Sequence, residues 1–263
     1  MNFNNKVVWI TGASSGIGKE LAIQLSQKNC QLILSSRTVS VLEEVKTLCN
    51  NPENVAVLSL DLADYQSMET VVEKAWNLFG TLDVLVNNGG ISQRSLISET
   101  SIEVDKKLMD VDYLGTVALS KALLPYFIKK KNGHFVTVTS LMGKFGSPYR
   151  SSYCGAKHAL HGFFDVLRME HEKDDIKVTL ICPGFVNTNI AKNALTGNGS
   201  LQGTQDTATE NGLSPKDFCT RMVRAIEREK FEVYIGKKEV LGVYLKRFFP
   251  KLLHRFVLKS KVR

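Results

Sequence analysis

Long apolar runs, paired cysteines and excess charge over most of the chain are what these 263 residues lack. No stretch approaches the roughly 18 consecutive apolar residues that a bilayer-spanning helix needs, so none is expected. The 5 cysteines, Cys30, Cys49, Cys154, Cys182 and Cys219, are odd in number, widely spaced and free of any C-x-x-C pair. That pattern excludes a disulfide framework and a zinc knuckle, and no metal site is expected. Prolines number only 6, and with 43% hydrophobic and 23% charged residues the chain has a globular composition rather than a disordered one. Residues 1–6 are polar and lack the cationic start and apolar run of a secretory leader, so a cytoplasmic location is expected. Charge is missing in a particular way. Residues 237–263 hold nine Lys or Arg against one acid, Glu239, which accounts for the whole net charge of +8 and leaves residues 1–236 neutral. A neutral body offers no cationic footprint to a phosphate backbone, which argues against nucleic acid as a partner.

What is present is a rhythm of short apolar runs and longer amphipathic segments. Residues 7–10, 32–34, 55–60, 82–86, 135–138 and 178–181 are strand-like, each followed by turn residues and then helical periodicity. Runs apolar on both faces, such as Val84-Leu85-Val86, suit strands covered by helices on both sides, so the fold class is α/β with a doubly wound parallel sheet. One catalytic domain is expected over residues 1–236, with 237–263 as a basic amphipathic extension. A polar stretch at 196–212 reads as a long loop or lid over the carboxyl ends of the strands, where such sheets bind ligands.

After the first strand comes Thr11-Gly12-Ala13-Ser14-Ser15-Gly16-Ile17-Gly18, opening a helix. Glycines there permit a tight turn and close approach of a pyrophosphate, and the helix N-terminus supplies free N–H groups from Ser14, Ser15, Gly16, Ile17 and Gly18. The second strand ends in Ser35-Ser36-Arg37, where a fold preferring NAD places an acid on the ribose 2′-hydroxyl. Without that carboxylate, and with Arg37 as a planar bidentate donor for a 2′-phosphate, the expected cofactor is NADP(H). Asp61-Leu62 and Asn87-Asn88-Gly89 close the third and fourth strands, where the adenine and nicotinamide riboses would lie. Farther along stand Ser140 and then Tyr153 and Lys157, four residues apart on one helix face. An ammonium beside a phenol favours the phenolate. Bringing a phenol from about 10 to about 7 requires roughly 4 kcal/mol of such preference.

These motifs together resemble the short-chain dehydrogenase/reductase family, in its single-domain type with a T-G-x-x-x-G-x-G turn and a Y-x-x-x-K site, and within it the member 7 and 7B subgroup. The resemblance spans residues 5–236 and implies a Rossmann fold with a mostly seven-stranded parallel sheet. It implies hydride transfer between nicotinamide and a carbonyl or secondary alcohol, with Tyr153 as proton donor, Ser140 polarising the substrate oxygen, and Lys157 on the nicotinamide ribose. Pro183-Gly184 and Thr188, with Val186 between them, match the segment that contacts the nicotinamide carboxamide in the family. Two positions depart. Gly89 replaces a usual Ala, and Asp112 stands where the family has the Asn of its tetrad, which helps hold a water linking the Lys to solvent. The resemblance further implies lipid, steroid or retinoid-like carbonyl substrates and homo-dimers or homo-tetramers. A weakly catalytic NADP-binding sensor or scaffold is the alternative, with Asp112 as its basis.

Ile91, Leu141, Met142, Phe145, Tyr149 and Phe185 are candidates for an apolar pocket. In the tail, apolar residues recur in pairs every four positions from Val240 to Val257, with Pro250 dividing the run and Lys or Arg between the pairs. Such a segment suits an anionic membrane surface, touched through 240–263, or equally packs on protein.

Overall fold

The computed structural model describes residues 1–259, so Lys261 and Arg263 of the basic tail lie outside the described residues. Strands β1 (Val7–Thr11), β2 (Gln31–Ser36), β3 (Val55–Ser59), β4 (Val84–Asn87), β5 (Gly133–Val138), β6 (Ile176–Pro183) and β7 (Glu232–Ile235) form one sheet. Their order is β3-β2-β1-β4-β5-β6-β7, with every neighbouring pair parallel. The sheet is the doubly wound Rossmann arrangement that the sequence pattern implies. Strand β7 is the one that no apolar run announces, because as a short edge strand only its last residue, Ile235, is buried.

Helices follow the strands: α1 (Gly16–Ser26), α2 (Val39–Thr47), α3 (Met68–Phe79), α4 (Ile102–Met109), α5 (Gly115–Lys130), α6 (Ser151–Glu170), α7 (Thr207–Glu210), α8 (Pro215–Glu227), α9 (Leu241–Phe248) and α10 (Pro250–Lys259). Alternation along each strand divides the core in two. Val8 and Ile10 pack with Leu21, Leu25, Phe218 and Met222 from α1 and α8. Val7 and Trp9 point the other way, to Val72, Leu119, Leu123 and Phe164 from α3, α5 and α6. This is why β1 and β4 are buried along their whole length. At the amino ends, Asp83 accepts from Val7 N (2.9 Å) and Lys130 Nζ (2.6 Å), joining β1, β4 and α5.

Three features place the site. Connections leave β1 and β4 in opposite directions, so a crevice opens between their carboxyl ends. Between α4 and α5 the helix widens into a π turn over Asp110–Leu114, which carries Asp112 fully inside. The polar 196–212 segment is stitched down rather than open. Leu195 bridges both Gln93 and Leu201, Val186 bridges Leu213, and α7 forms within it. Composition gave no sign of this, since most of the stitching is backbone to backbone.

In the tail, Pro250 starts α10 and separates it from α9, because it cannot continue the preceding helix. The apolar stripe splits between two environments. Leu253 is buried against Leu141, Phe145 and Cys182, with Val240, Val243, Leu245 and Val257 around it. Tyr244, Phe248 and Phe249 remain exposed, as does Phe256, which lines the cleft. Among the described residues no helix is long and apolar enough to cross a membrane.

Candidate functional site

A cleft of about 1220 Å³ runs along the carboxyl ends of the strands, from Arg37 past the glycine turn to Tyr153 and on beneath the tail helices. At its β1 end the backbone does the shaping. Gly12 and Gly16 take φ of 63° and 54°, a region that side chains disfavour. A Cβ on Gly18 would lie 2.3 Å from Gly12 O, so only glycine lets α1 begin this close to the turn. Asn88 Nδ2 donates to Thr11 O (3.0 Å) and Gly12 O (3.2 Å), while Thr11 Oγ1 accepts from Gly89 N (2.9 Å). The β4 end thereby clamps the β1 turn. Ser15, the N-cap of α1, makes no side-chain cap, which leaves the helix N-terminus open to an anion.

The other residues expected at the cofactor line the same groove. Ser14, Ser15, Gly16, Ile17, Asp61, Leu62, Asn88 and Gly89 are on its walls, as are Pro183, Gly184, Val186 and Thr188. Gly18 sits behind the turn rather than on the wall, and acts through the close approach just described. Thr188 Cγ2 comes within 3.1 Å of where a Gly16 Cβ would be, so the loop after β6 closes over the turn. A Cβ on Gly89 would meet Leu62 Cδ1 at 2.8 Å, which ties the departure from Ala to the neighbouring leucine. Arg37 is exposed at the rim, with no ion pair among the described residues. The donors, the glycine cradle and the absence of a carboxylate at the end of β2 fit a nicotinamide dinucleotide.

Farther along the cleft stand the candidate catalytic side chains. Ser140 leaves β5 extended and caps the turn after it, its Oγ accepting from Met142 N at 3.0 Å. Tyr153 and Lys157 lie on the first turns of α6. Lys157 Nζ is buried, donates to Val138 O at 3.3 Å, and stands 5.7 Å from the centroid of the Tyr153 ring. Asp112 is next to it. Its Oδ1 accepts from Ile91 N at 2.7 Å, and its Oδ2 is 3.5 Å from Lys157 Nζ without a hydrogen bond. Burial raises the Asp112 pKa above the usual carboxylate range, against the pull of the Lys157 ammonium.

Of the expected apolar lining, Ile91, Leu141, Met142, Phe145 and Phe185 face the cleft. Tyr149 is not among the lining residues. Its backbone turns left-handed (φ 67°) to lead into α6, and its carbonyl accepts from Ser95 N. Sequence reasoning missed Arg94, Arg150 and Asp206, a buried ion cluster at the Tyr153 part of the cleft wall, and Glu239, whose Oε1 accepts from Phe185 N at 3.0 Å. Glu239 had one signal, as the lone acid in the basic tail; the cluster had none, because Arg94 and Asp206 are 112 positions apart. His161, Cys182 and Glu232 also converge, within 4.8 Å. Burial pushes the Cys182 thiol up to about 12, and the Glu232 carboxylate is paired with Lys144 at 2.7 Å and lies 3.2 Å from His161 Nδ1.

A parallel sheet with a glycine turn at its switch point, and a Tyr and Lys on the helix after β5, defines the class of Rossmann-fold oxidoreductases. The chain belongs to the short-chain dehydrogenase/reductase family: the short chain dehydrogenase profile matches residues 6–199. It is 40% identical over 268 residues to a Dehydrogenase/reductase SDR family protein 7-like of Anopheles gambiae, covering 99% of this chain and 84% of that one. It is 44% identical over 255 residues to Dehydrogenase/reductase SDR family member 7 of Homo sapiens, covering 93% and 74%. Among solved structures it is similar to an alcohol dehydrogenase from Thermococcus sibiricus complexed with 5-hydroxy-NADP, with a TM-score of 0.76, 26% identity, and coverage of 89% of this chain and 97% of that one. Members of this family are oxidoreductases that use a nicotinamide cofactor.

Proposed function

We propose that this protein is an NADP(H)-dependent oxidoreductase acting on a carbonyl or secondary alcohol within an apolar, lipid-like molecule. The observation that carries this reading is Lys157 Nζ, buried and held by Val138 O, beside the Tyr153 ring in the wall of a largely apolar cleft. The dinucleotide, when bound, supplies or accepts the hydride. Residues 12–18, with Asn88 behind them, would hold its pyrophosphate, and Arg37 its 2′-phosphate. Asp61, Leu62 and Gly89 would lie along its riboses, and Pro183, Gly184, Val186 and Thr188 along its carboxamide end.

Tyr153 then donates a proton to the substrate oxygen in reduction and takes one in oxidation. Ser140 donates a hydrogen bond to the same oxygen, stabilising charge as it develops. Lys157 lowers the cost of the Tyr153 phenolate, and Asp112 stands beside that ammonium, Oδ2 3.5 Å from Lys157 Nζ. Tyr153→Phe removes the proton donor, and turnover should fall by about 10²–10⁴-fold in an NADPH-oxidation assay over lipid ketones and aldehydes. Undiminished turnover on a confirmed substrate would end this assignment. A second reading draws on Asp112, whose carboxylate weakens Lys157 when ionised: a sensor or scaffold that binds NADP(H) with little turnover. NADPH binding without oxidation across the whole carbonyl panel would favour it.

The one-domain body over residues 1–236 and the tail after it divide the work in this reading. The tail roofs the cleft from one side, with Leu253 and Phe256 lining it, and exposes Phe248 and Phe249 among Lys246, Arg247, Lys251 and Arg255. That combination suits a cytoplasmic protein resting on an anionic membrane surface, where each basic residue near the headgroups contributes about 1 kcal/mol. A homo-dimer or homo-tetramer formed through α5 and α6 completes the proposal.

A further inference from the structure

Two arginines share one carboxylate inside the cleft wall. The side chains of Arg94, Arg150 and Asp206 are 4%, 5% and 1% exposed, so the cluster carries a net positive charge that meets solvent only along the cleft. The two arginines are held very differently. Arg94 gives Nε and Nη2 to Asp206 Oδ2 at 2.9 and 2.6 Å, and Nη1 to Ser92 Oγ and Gln93 O at 2.8 and 2.7 Å. Its fork is nearly complete, and it ties the loop after β6 to the end of β4. Arg150 has only two long contacts, Nη2 to the same Asp206 Oδ2 and Nη1 to Ser147 Oγ, both at 3.2 Å. Its Nε makes no hydrogen bond to the described residues and is not among the fully buried unpartnered atoms, so it opens toward the cleft.

A buried guanidinium that is half paired is costly unless something else satisfies it. Burial and the neighbouring Arg94 press the Arg150 pKa down to about 10, against the pull of Asp206, yet it stays cationic at neutral pH. Arg150 lines the cleft, as does Ser147. It is the N-cap of the 20-residue α6, three positions before Tyr153; its own side chain makes no cap, Gln93 Oε1 accepts from Ser152 N at 3.0 Å instead, and the helix end adds its own positive potential. The wall opposite and above is apolar, formed by Leu141, Met142, Phe145 and Leu245.

We propose that Arg150, backed by Arg94, is the receptor for an anionic group, a carboxylate or phosphate, on the substrate. This deepens the reading above and rests on it: the molecule reduced at Tyr153 is an amphiphile, with an apolar chain along the tail side of the cleft and an anionic group at Arg150. A planar fork meets either anion through two hydrogen bonds, which an alcohol or ester cannot match. The cationic tail at the cleft mouth would draw the same molecules in.

The test separates anion binding from turnover. Dodecanol, dodecanoate and dodecyl phosphate are titrated against the full chain, wild type, Arg150→Gln and Arg150→Lys, following binding by calorimetry. Wild type should prefer one or both anions over the alcohol by about tenfold or more. The two anionic arms tell carboxylate from phosphate. Arg150→Gln should lose the preference and Arg150→Lys retain part of it. Equal wild-type affinity for the three ligands overturns the proposal, and does so even if Arg150→Gln fails to fold. A preference that survives Arg150→Gln overturns it too, and if it then disappears in Lys246→Gln/Lys251→Gln the tail is the receptor. Because none of these ligands is a ketone or aldehyde, a failure here leaves the oxidoreductase reading standing. A preference seen without any NADPH oxidation over keto acids and their esters removes the catalytic reading instead.

Discussion

The two ends of the cleft are built by different means. At the cofactor end, glycine backbone packs on backbone and one short side chain pins it: Gly18 against Gly12 O, and the Asn88 amide across to Thr11 O and Gly12 O. At the substrate end, long side chains reach across the fold: Arg94 to Asp206, Arg150 to the same carboxylate, Glu239 to Phe185 N. A ligand common to a whole family can be met by peptide groups, which any sequence has. A particular substrate has to be met by side chains placed for it. The difference between the ends is thus one of chemistry as well as construction.

The comparison predicts where each end is most easily broken. Asp206→Asn should have the largest effect on stability, because it leaves two buried guanidiniums facing one another. The expected loss is about 3–5 kcal/mol by denaturant unfolding at neutral pH. Burial alone would raise the Asp206 carboxyl, but Arg94 and Arg150 hold it below its usual value. Its contribution is therefore present above the ordinary carboxylate range and lost as pH falls through its folded pKa, so wild type and variant should converge in acid. A gap that persists in acid would mean the cluster is packing rather than charge.

Gly18→Ala tests the other end. Its Cβ would sit 2.3 Å from Gly12 O and 2.6 Å from Asn88 Nδ2, so the turn itself must move. A loss of about 1–3 kcal/mol is expected, as for overpacking elsewhere, and it should appear in NADPH affinity as well as in unfolding. Full NADPH affinity in this variant would show that the turn does not cradle the dinucleotide. Ser36→Asp is smaller still. A carboxylate at the end of β2 should repel a 2′-phosphate and move preference toward NAD by about tenfold, or 1.4 kcal/mol, in paired binding titrations. Unchanged NADP affinity would remove Arg37 and its surroundings from the account.

The same contrast explains what was legible beforehand. The turn from Thr11 to Gly18 and the Tyr153–Lys157 pair could be read because their requirements are local, fixed by a helix period or a positive φ within a few residues. Strand β7 could not, since an edge strand of four residues needs only Ile235 inside. The stitched 196–212 segment looked open because Leu195 and Leu201 gain their partners through peptide groups that carry no residue signature. The tail was half legible. Its periodicity foretold two apolar-striped helices divided at Pro250, but not that Gly242 would admit Phe145 and bring α9 onto the cleft. Arg150 was invisible, because an arginine before a helix reads as solvated until the fold buries it.

Asp112 belongs to neither end, and its substitution is the finest probe of how they meet. Because burial raises its folded pKa, the protonated carboxyl is favoured in the fold. Its stabilising share is present in acid, and is lost as pH rises from the ordinary carboxylate range through the folded value. Asp112→Asn is neutral throughout, so its stability relative to wild type should climb with pH across that window. Where wild type is ionised, the variant also frees Lys157 from a carboxylate oxygen 3.5 Å away. A less neutralised ammonium favours the Tyr153 phenolate, so the alkaline limb of the reduction profile should move to lower pH, by about one unit at most. Superimposable profiles for wild type and variant would mean that the carboxyl is already protonated wherever the enzyme works, standing in for an amide. In that case the departure at Asp112 costs the site nothing, and the sensor reading loses its one support.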